Sequence, residues 1–144
     1  VQTCALPIYM DYGFAEAAAA LGIALGKTII HVERLLRFNG ETVVFDQIHL
    51  VTDLFAGLTL ESLSGGDRSL YSLFENDYGV RMIHAEEHLR AVPADPCSAS
   101  LLGVQPGAPL LLVERTAYTY GNKPVEWRRG LYCTNRHYYR NDLG

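Results

Sequence analysis

The chain lacks what would tie it to a membrane, a polyanion or an oxidising compartment. Hydrophobic residues fill 49% of its 144 positions, yet no apolar run approaches the ~18 residues that would span a bilayer. Positive charge has no focus. Twelve Lys and Arg are scattered against sixteen Asp and Glu, for a formal net charge of -4, so the chain by itself lacks the basic footprint that a phosphate backbone requires. Cys4, Cys97 and Cys133 are odd in number and far apart, which gives neither zinc spacing nor a disulfide framework and suits a reducing, cytoplasmic setting. Also missing are a Gly-x-Ser-x-Gly elbow, a phosphate loop and a glycine-rich dinucleotide fingerprint. The length is that of one domain, sufficient to bury a core.

Val1 to Met10 starts without Met and has no periodic apolar face. It lacks the charged start and long apolar stretch of a secretory signal. Residues 1–13 are therefore read as a leader or foreign segment, poorly ordered, with the domain occupying residues 14–144. Ala15 to Leu21 is strongly helix-forming and Gly22 ends it. Ile29 to Phe38 reads as a strand, Asn39-Gly40 as a hairpin turn, and Thr42 to Leu50 as the returning strand. After a central helix, Val80 to Ala91 alternates as a strand. Asp95 caps a short helix with Pro96 at its first position, ending at Gly103. Strands Pro109 to Tyr120 and Val125 to Cys133 flank Gly121-Asn122, and His137 to Tyr139 is a candidate for a last short strand.

An internal echo organises these elements. Leu21-Gly22, Gly26, Val32-Glu33-Arg34 and Gly40 recur 81 positions later as Leu102-Gly103, Gly107, Val113-Glu114-Arg115 and Gly121. Two copies of so long a unit make a pseudo-twofold α+β domain, its hairpins sharing one antiparallel sheet and helices covering one face. Between the copies lies the stretch Gly65 to Gly79. Leu70, Leu73 and Phe74 fall at helical spacing, Gly79 stops the helix, and Asp67 or Ser69 caps it. Ser69 and Tyr71 then sit near a helix start, where free N–H groups and the dipole favour an anion.

His84-Ala85-Glu86-Glu87-His88 has the H-x-x-E-H form of a zinc peptidase. Alternation around it indicates a strand, on which residues four apart are separated by roughly 13 Å, too far to share a tetrahedral zinc. No metal site and no catalytic set is assigned. Glu33-Arg34 and Glu114-Arg115 sit mid-strand, either as ion pairs or, if an arginine faces inward, as a fork for carboxylate or phosphate. Tyr120 and Tyr138-Tyr139 are read as packing residues.

Several of these segments together resemble the UTRA domain, the effector-binding half of HutC-type GntR-family transcription regulators. They are Ser69-Leu70-Tyr71 with Glu75 and Tyr78-Gly79, Leu102-Gly103-Val104, Pro109 to Arg115, and Pro124-Val125-Glu126. The resemblance runs from about Ala15 to the C-terminus. It implies a chorismate-lyase-like fold used as a sensor, with no cofactor, a homodimeric state, and DNA binding by an N-terminal winged helix absent from this chain. It also implies that a small anionic metabolite, a sugar phosphate or carboxylate, is held by Arg34, by Ser69 and Tyr71, and by Glu126 and Tyr132. Two positions depart from the family pattern. Leu36 stands where a second basic residue is frequent, and Cys133-Thr134-Asn135-Arg136 replaces Arg-Gly-Asp-Arg, which implies either a weaker anion site or a carboxylate ligand in place of a phosphate. The alternatives are a small lyase-like enzyme with Glu126 as its acid or base, and a dimerisation module without ligand.

Overall fold

Two tight hairpins set the sheet. Asn39 and Gly40 take left-handed angles (φ 50° and 79°) and Gly121 and Asn122 do the same (72° and 58°), the conformations whose twist lets adjacent antiparallel strands continue from a short turn. The computed structural model describes residues 2–11, 15–24, 26–64 and 69–143. Its strands are β1 Gln2–Asp11, β2 Ile29–Phe38, β3 Glu41–Val51, β4 His84–Pro93, β5 Pro109–Thr119 and β6 Lys123–Tyr132. Its helices are α1 Ala15–Leu21, α2 Leu60–Ser64, α3 Leu70–Tyr78 and α4 Pro96–Leu102. All strand pairings are antiparallel, in the order β1-β2-β3-β6-β5-β4. Exchanging β1, β2, β3 for β4, β5, β6 reproduces this order reversed, so the sequence echo is a pseudo-twofold axis between β3 and β6.

The axis explains a departure from the sequence reading. Gln2–Asp11, set aside as a poorly ordered leader, forms the outer strand beside β2 and is the counterpart of β4. Backbone groups along β2 need partners whatever the side-chain pattern of the strand that supplies them, so a missing apolar period does not exclude pairing. Pro7, which cannot donate, falls in the register break between Ala5 and Ile8. Residues 12–14 and 65–68, the latter including Asp67, lie outside the described residues.

Helices cover both faces, not one. Ile29, Ile30, His31 and Val32 are consecutive and all buried, which on an alternating strand requires cover on each side. α1 lies over the face of His31, His49 and Trp127, and α4 joins it there against Leu35, Phe45 and Leu131. α3 lies on the opposite face, where Tyr71 reaches Glu126 and Arg115. Its ends follow the sequence: Ser69 accepts a hydrogen bond from the Ser72 N–H, and Gly79 closes the helix in a left-handed conformation. Val80 donates to the Phe74 carbonyl, completing the helix stop, so β4 starts at His84 and not at Val80. α4 is capped by Asp95 and stopped by Gly103 as expected. His137 to Tyr139 forms no strand.

Candidate functional site

Cross-strand register gathers charge under α3. On that face Arg34 of β2 stands opposite Asp46 of β3, which stands opposite Gly130 of β6. One rung away, Arg128 of β6 stands opposite Arg115 of β5, and Arg115 opposite Glu87 of β4. Arg34 Nε donates to Asp46 Oδ2 at 2.9 Å. Arg115 grips Glu87 Oε2 through Nε and Nη2 at 3.0 and 2.8 Å and donates from Nη1 to the Tyr71 hydroxyl at 3.0 Å. Tyr71 Oη in turn donates to Glu126 Oε1 at 3.2 Å, and Arg128 Nη2 holds the other oxygen, Oε2, at 2.9 Å. The guanidinium groups of Arg128 and Arg115 lie 5.6 and 5.9 Å from the centre of the Tyr71 ring, within cation–π range.

The tail after β6 joins the cluster. Tyr139 Oη donates to Glu87 Oε1 at 2.6 Å, and its ring meets the Tyr132 ring edge-on at 5.7 Å. Gly130 makes room for this arrangement, since a Cβ there would stand 2.7 Å from Asp46 Oδ1 and 2.8 Å from the Tyr132 ring.

Three guanidinium groups thus face three carboxylates. Glu126 is fully buried and Asp46 nearly so, burial that charges tolerate only when paired. Burial and the Glu126 charge raise the Tyr71 pKa, which keeps the phenol protonated for its bond to Glu126. Burial and the Asp46 charge push Tyr132 up to about 12. Burial alone would raise the Glu87 pKa, but the bonds from Tyr139 and Arg115 prevail and hold it below the ordinary value. Asp46 Oδ1 and Arg128 Nε are buried with no hydrogen-bond partner among the described residues. In a site otherwise so fully paired, these two atoms are where a further polar group would be recognised.

Of the five residues assigned from sequence, Tyr71 and Glu126 bond directly, and Arg34 and Tyr132 adjoin them through Asp46, whose charge acts on both Arg128 and Tyr132. Ser69 is an exposed helix cap. Arg34 is already ion-paired, so it is not a bare fork. Sequence reasoning weighed Arg115 with Arg34 as an ion pair or an inward fork but did not assign it to the site, met Glu87 only within the H-x-x-E-H stretch, and passed over Arg128 and Asp46. It also took Tyr139 for packing, whereas Tyr139 is part of the network, and Tyr120 and Tyr138 are largely exposed. The two histidines of His84-Ala85-Glu86-Glu87-His88 lie on β4, where His84 stacks on Tyr118 with ring centres 4.5 Å apart. Among the described residues no group of three or more His, Cys, Asp or Glu could hold a metal, and no helix is long and apolar enough to cross a membrane. Beside Tyr132, a largely apolar hollow of about 440 Å³ opens between Leu36, Phe38, Val44 and the tail residues His137 and Tyr138.

Comparison with known proteins gives a consistent picture. The family model described as the UTRA domain matches residues 14–138. A crystal structure described as the ligand-binding domain of a GntR-family transcriptional regulator from Bordetella bronchiseptica is 45% identical, with a TM-score of 0.93 over 99% of this chain and 90% of that one. The effector domain of PhnF from Mycobacterium smegmatis shares the fold, with a TM-score of 0.83 at 22% identity over 99% of this chain and 86% of that one. By sequence, the transcriptional repressor NagR of Bacillus subtilis is 26% identical over 122 residues, 85% of this chain and 49% of NagR. The chain spans a quarter to about half of the length of the curated relatives it matches.

Proposed function

Because the chain belongs to the UTRA domain family, we propose that it is the sensing domain of a HutC-type GntR-family regulator, binding a small anionic metabolite on the α3 face. The observation that carries this reading is the partly buried island of Arg34, Arg115 and Arg128 against Asp46, Glu87 and Glu126, with Tyr71 at its centre. An incoming sugar phosphate or carboxylate exchanges with protein carboxylates for the arginine forks, a geometry guanidinium groups suit. It thereby loosens or tightens Tyr71 and with it α3. Such a change is the differential contact by which a ligand selects one of two states. DNA contact belongs to a winged-helix domain elsewhere in the protein, and the two sensing domains of a cytoplasmic homodimer match a two-fold operator.

A lyase-like enzyme would need Glu126 poised to take a proton. It is instead fully buried between Tyr71 and Arg128, which favours a structural and recognition role. The test is calorimetry against a panel of hexose phosphates and small carboxylates. Once a wild-type binder is found, Arg34→Ala should weaken it roughly ten- to a hundredfold, as expected for loss of one charge-assisted contact, while Arg37→Ala should change it little. In the intact regulator the same variant should blunt the ligand's effect on DNA affinity and leave DNA binding itself intact, because coupling acts equally in both directions. Turnover of any panel member, or unchanged affinity for Arg34→Ala, would overturn the reading.

A further inference from the structure

The face opposite the charged island has a hollow of its own. One rung across β2, β3 and β6 sets His31, His49 and Trp127 side by side, and the next rung on the same face sets Glu33, Gln47 and Arg129. Ala15 and Glu16 at the start of α1 complete the walls of a cavity of about 310 Å³ over these rungs. Its inner wall is aromatic. His31 meets His49 edge-on with ring centres 4.6 Å apart, and His49 lies 5.0 Å from Trp127. A hydrogen bond of 3.1 Å between His49 Nδ1 and the Trp127 carbonyl holds that wall in place.

Arg129 is the anomaly of the second rung. Glu114 of β5 stands directly opposite it in register, yet among the described residues Arg129 forms no ion pair with Glu114 or with any other carboxylate. The pseudo-twofold makes the contrast direct. Gln47, at the equivalent place in the first half, donates from its amide nitrogen to Glu33 across the rung at 3.4 Å, which leaves its amide oxygen to accept. The sheet arginines of the other face, Arg34, Arg115 and Arg128, each hold a carboxylate. Arg129 instead lies with its guanidinium 6.0 Å from the centre of the Trp127 ring, at the hollow, and its Nε is buried with no hydrogen-bond partner among the described residues. A partly buried guanidinium in that position is matched by a carboxylate arriving from outside.

Charge then selects the class of ligand. One planar fork inside the hollow suits one carboxylate. Glu16 at the mouth is exposed, and it repels a dianion such as phosphate while it attracts a cationic group. We infer that this hollow is a second small-molecule site, for a free α-amino acid. The α-carboxylate rests on Arg129, the α-ammonium faces Glu16 and the Gln47 amide oxygen, and the carbon body lies along the wall of His31, His49 and Trp127. The site is on the other side of the sheet from the island and does not rest on what the α3 face binds.

The chain has a single tryptophan, so Trp127 fluorescence reports this hollow directly. The experiment titrates the chain with free L-amino acids other than tryptophan, with the des-amino carboxylic acid of each binder, and with inorganic phosphate, each up to about 10 mM. At least one amino acid should give a saturable change, and it should bind more tightly than its des-amino counterpart or phosphate. Arg129→Met keeps an apolar stem over Trp127 without the charge and should raise the Kd about tenfold or more. Glu16→Gln should raise it about two- to fivefold and narrow the advantage over the des-amino acid. Arg81→Ala removes an exposed charge outside the hollow and should leave the titration unchanged. If circular dichroism shows Arg129→Met to be unfolded, Arg129→Lys keeps the charge without the planar fork and should still weaken binding severalfold. No saturable response to any amino acid, or wild-type affinity in a folded Arg129 variant, would overturn the site. Tighter binding of phosphate or of the des-amino acid would overturn the ligand class. Either failure leaves the reading of the α3 face standing, since the Arg34→Ala calorimetry tests that reading separately.

Discussion

The two halves of the sheet start from the same instruction and end differently. Arg34 and Arg115 occupy equivalent mid-strand positions in the echoed Val-Glu-Arg segments, on equivalent strands and on the same face. Arg34 is tied to a neighbour across its hairpin, Asp46 of β3. Arg115 turns the other way, to Glu87 on β4, and its remaining amine is taken by Tyr71 from the helix above. Glu87 has no counterpart within the first half's described side chains, and Asp46 has an arginine, Arg128, in the corresponding place beside Arg115. Duplication therefore supplies a symmetric frame, while the site comes from unequal furnishing of that frame. The first half carries a simple ion pair. The second carries a relay that links the sheet edge, the central helix and the tail.

The largest effect should come from breaking the relay at its buried end. Glu126→Ala would leave Arg128 without its partner beneath α3, and removing one member of a buried pair costs about 3–5 kcal/mol. Urea unfolding should show a loss of that size. A loss under about 1 kcal/mol would mean that the relay contributes no more than an exposed pair. Gly130→Ala tests the seam between the halves, because its Cβ meets the Asp46 carboxylate, held by Arg34, on one side and the Tyr132 ring on the other. Overpacking of this kind costs about 1–3 kcal/mol, and the same unfolding assay should place it below Glu126→Ala.

Much of the frame was legible in the chain. α1 and β2 match their sequence boundaries, and the caps at Asp95, Gly79 and Gly103 act through local backbone chemistry that a few residues determine. The echo also held information left unused. β4 stands before α4 as β1 stands before α1, so the strand at Gln2–Asp11 could have been inferred from the second copy even though its own pattern is weak. The site was legible only in part. Tyr71 and Glu126 were named, but their connection through Arg115 and Arg128 depends on the β5–β6 and β4–β5 registers. Those registers are set by turns and by an irregularity between Ala117 and Tyr118, and a one-residue slip would send every one of these side chains to the other face. Tyr139 could not be placed at all, because nothing in a strandless tail specifies where it crosses the sheet.

A smaller effect separates two roles for Ser69 at the entrance to the second half. As the cap of α3 its hydroxyl accepts the Ser72 N–H at 3.1 Å, so Ser69→Ala should destabilise by about 1 kcal/mol. Aspartate caps as well as serine does, so Ser69→Asp should keep wild-type stability. If the metabolite's anion also rests on this helix start, the added negative charge should weaken binding at least several-fold in calorimetry. Wild-type affinity in Ser69→Asp would reduce Ser69 to a cap.

The smallest effect lies at the outer end of the relay, where Glu87 joins Arg115 to Tyr139. Its folded pKa lies below the 4.5 of the free group, since the bonds from Tyr139 and Arg115 outweigh the opposing effect of burial. For a carboxylate with a depressed folded value, the stabilisation is fully present above the unfolded value and is lost as pH falls through the folded one. Glu87 is partly open to solvent, so the screened pair should contribute no more than about 1 kcal/mol. Glu87→Gln should therefore be slightly less stable than wild type at pH 7, and the gap should close as the pH falls below 4.5. Denaturant titrations of both proteins between pH 7 and pH 3 would measure it. Carbon-13 labelled tyrosine would report in parallel whether the Tyr139 resonance moves with the same transition. A gap that stays constant with pH would mean that Glu87 acts by shape and neutral hydrogen bonding, and the halves would then differ in packing more than in charge.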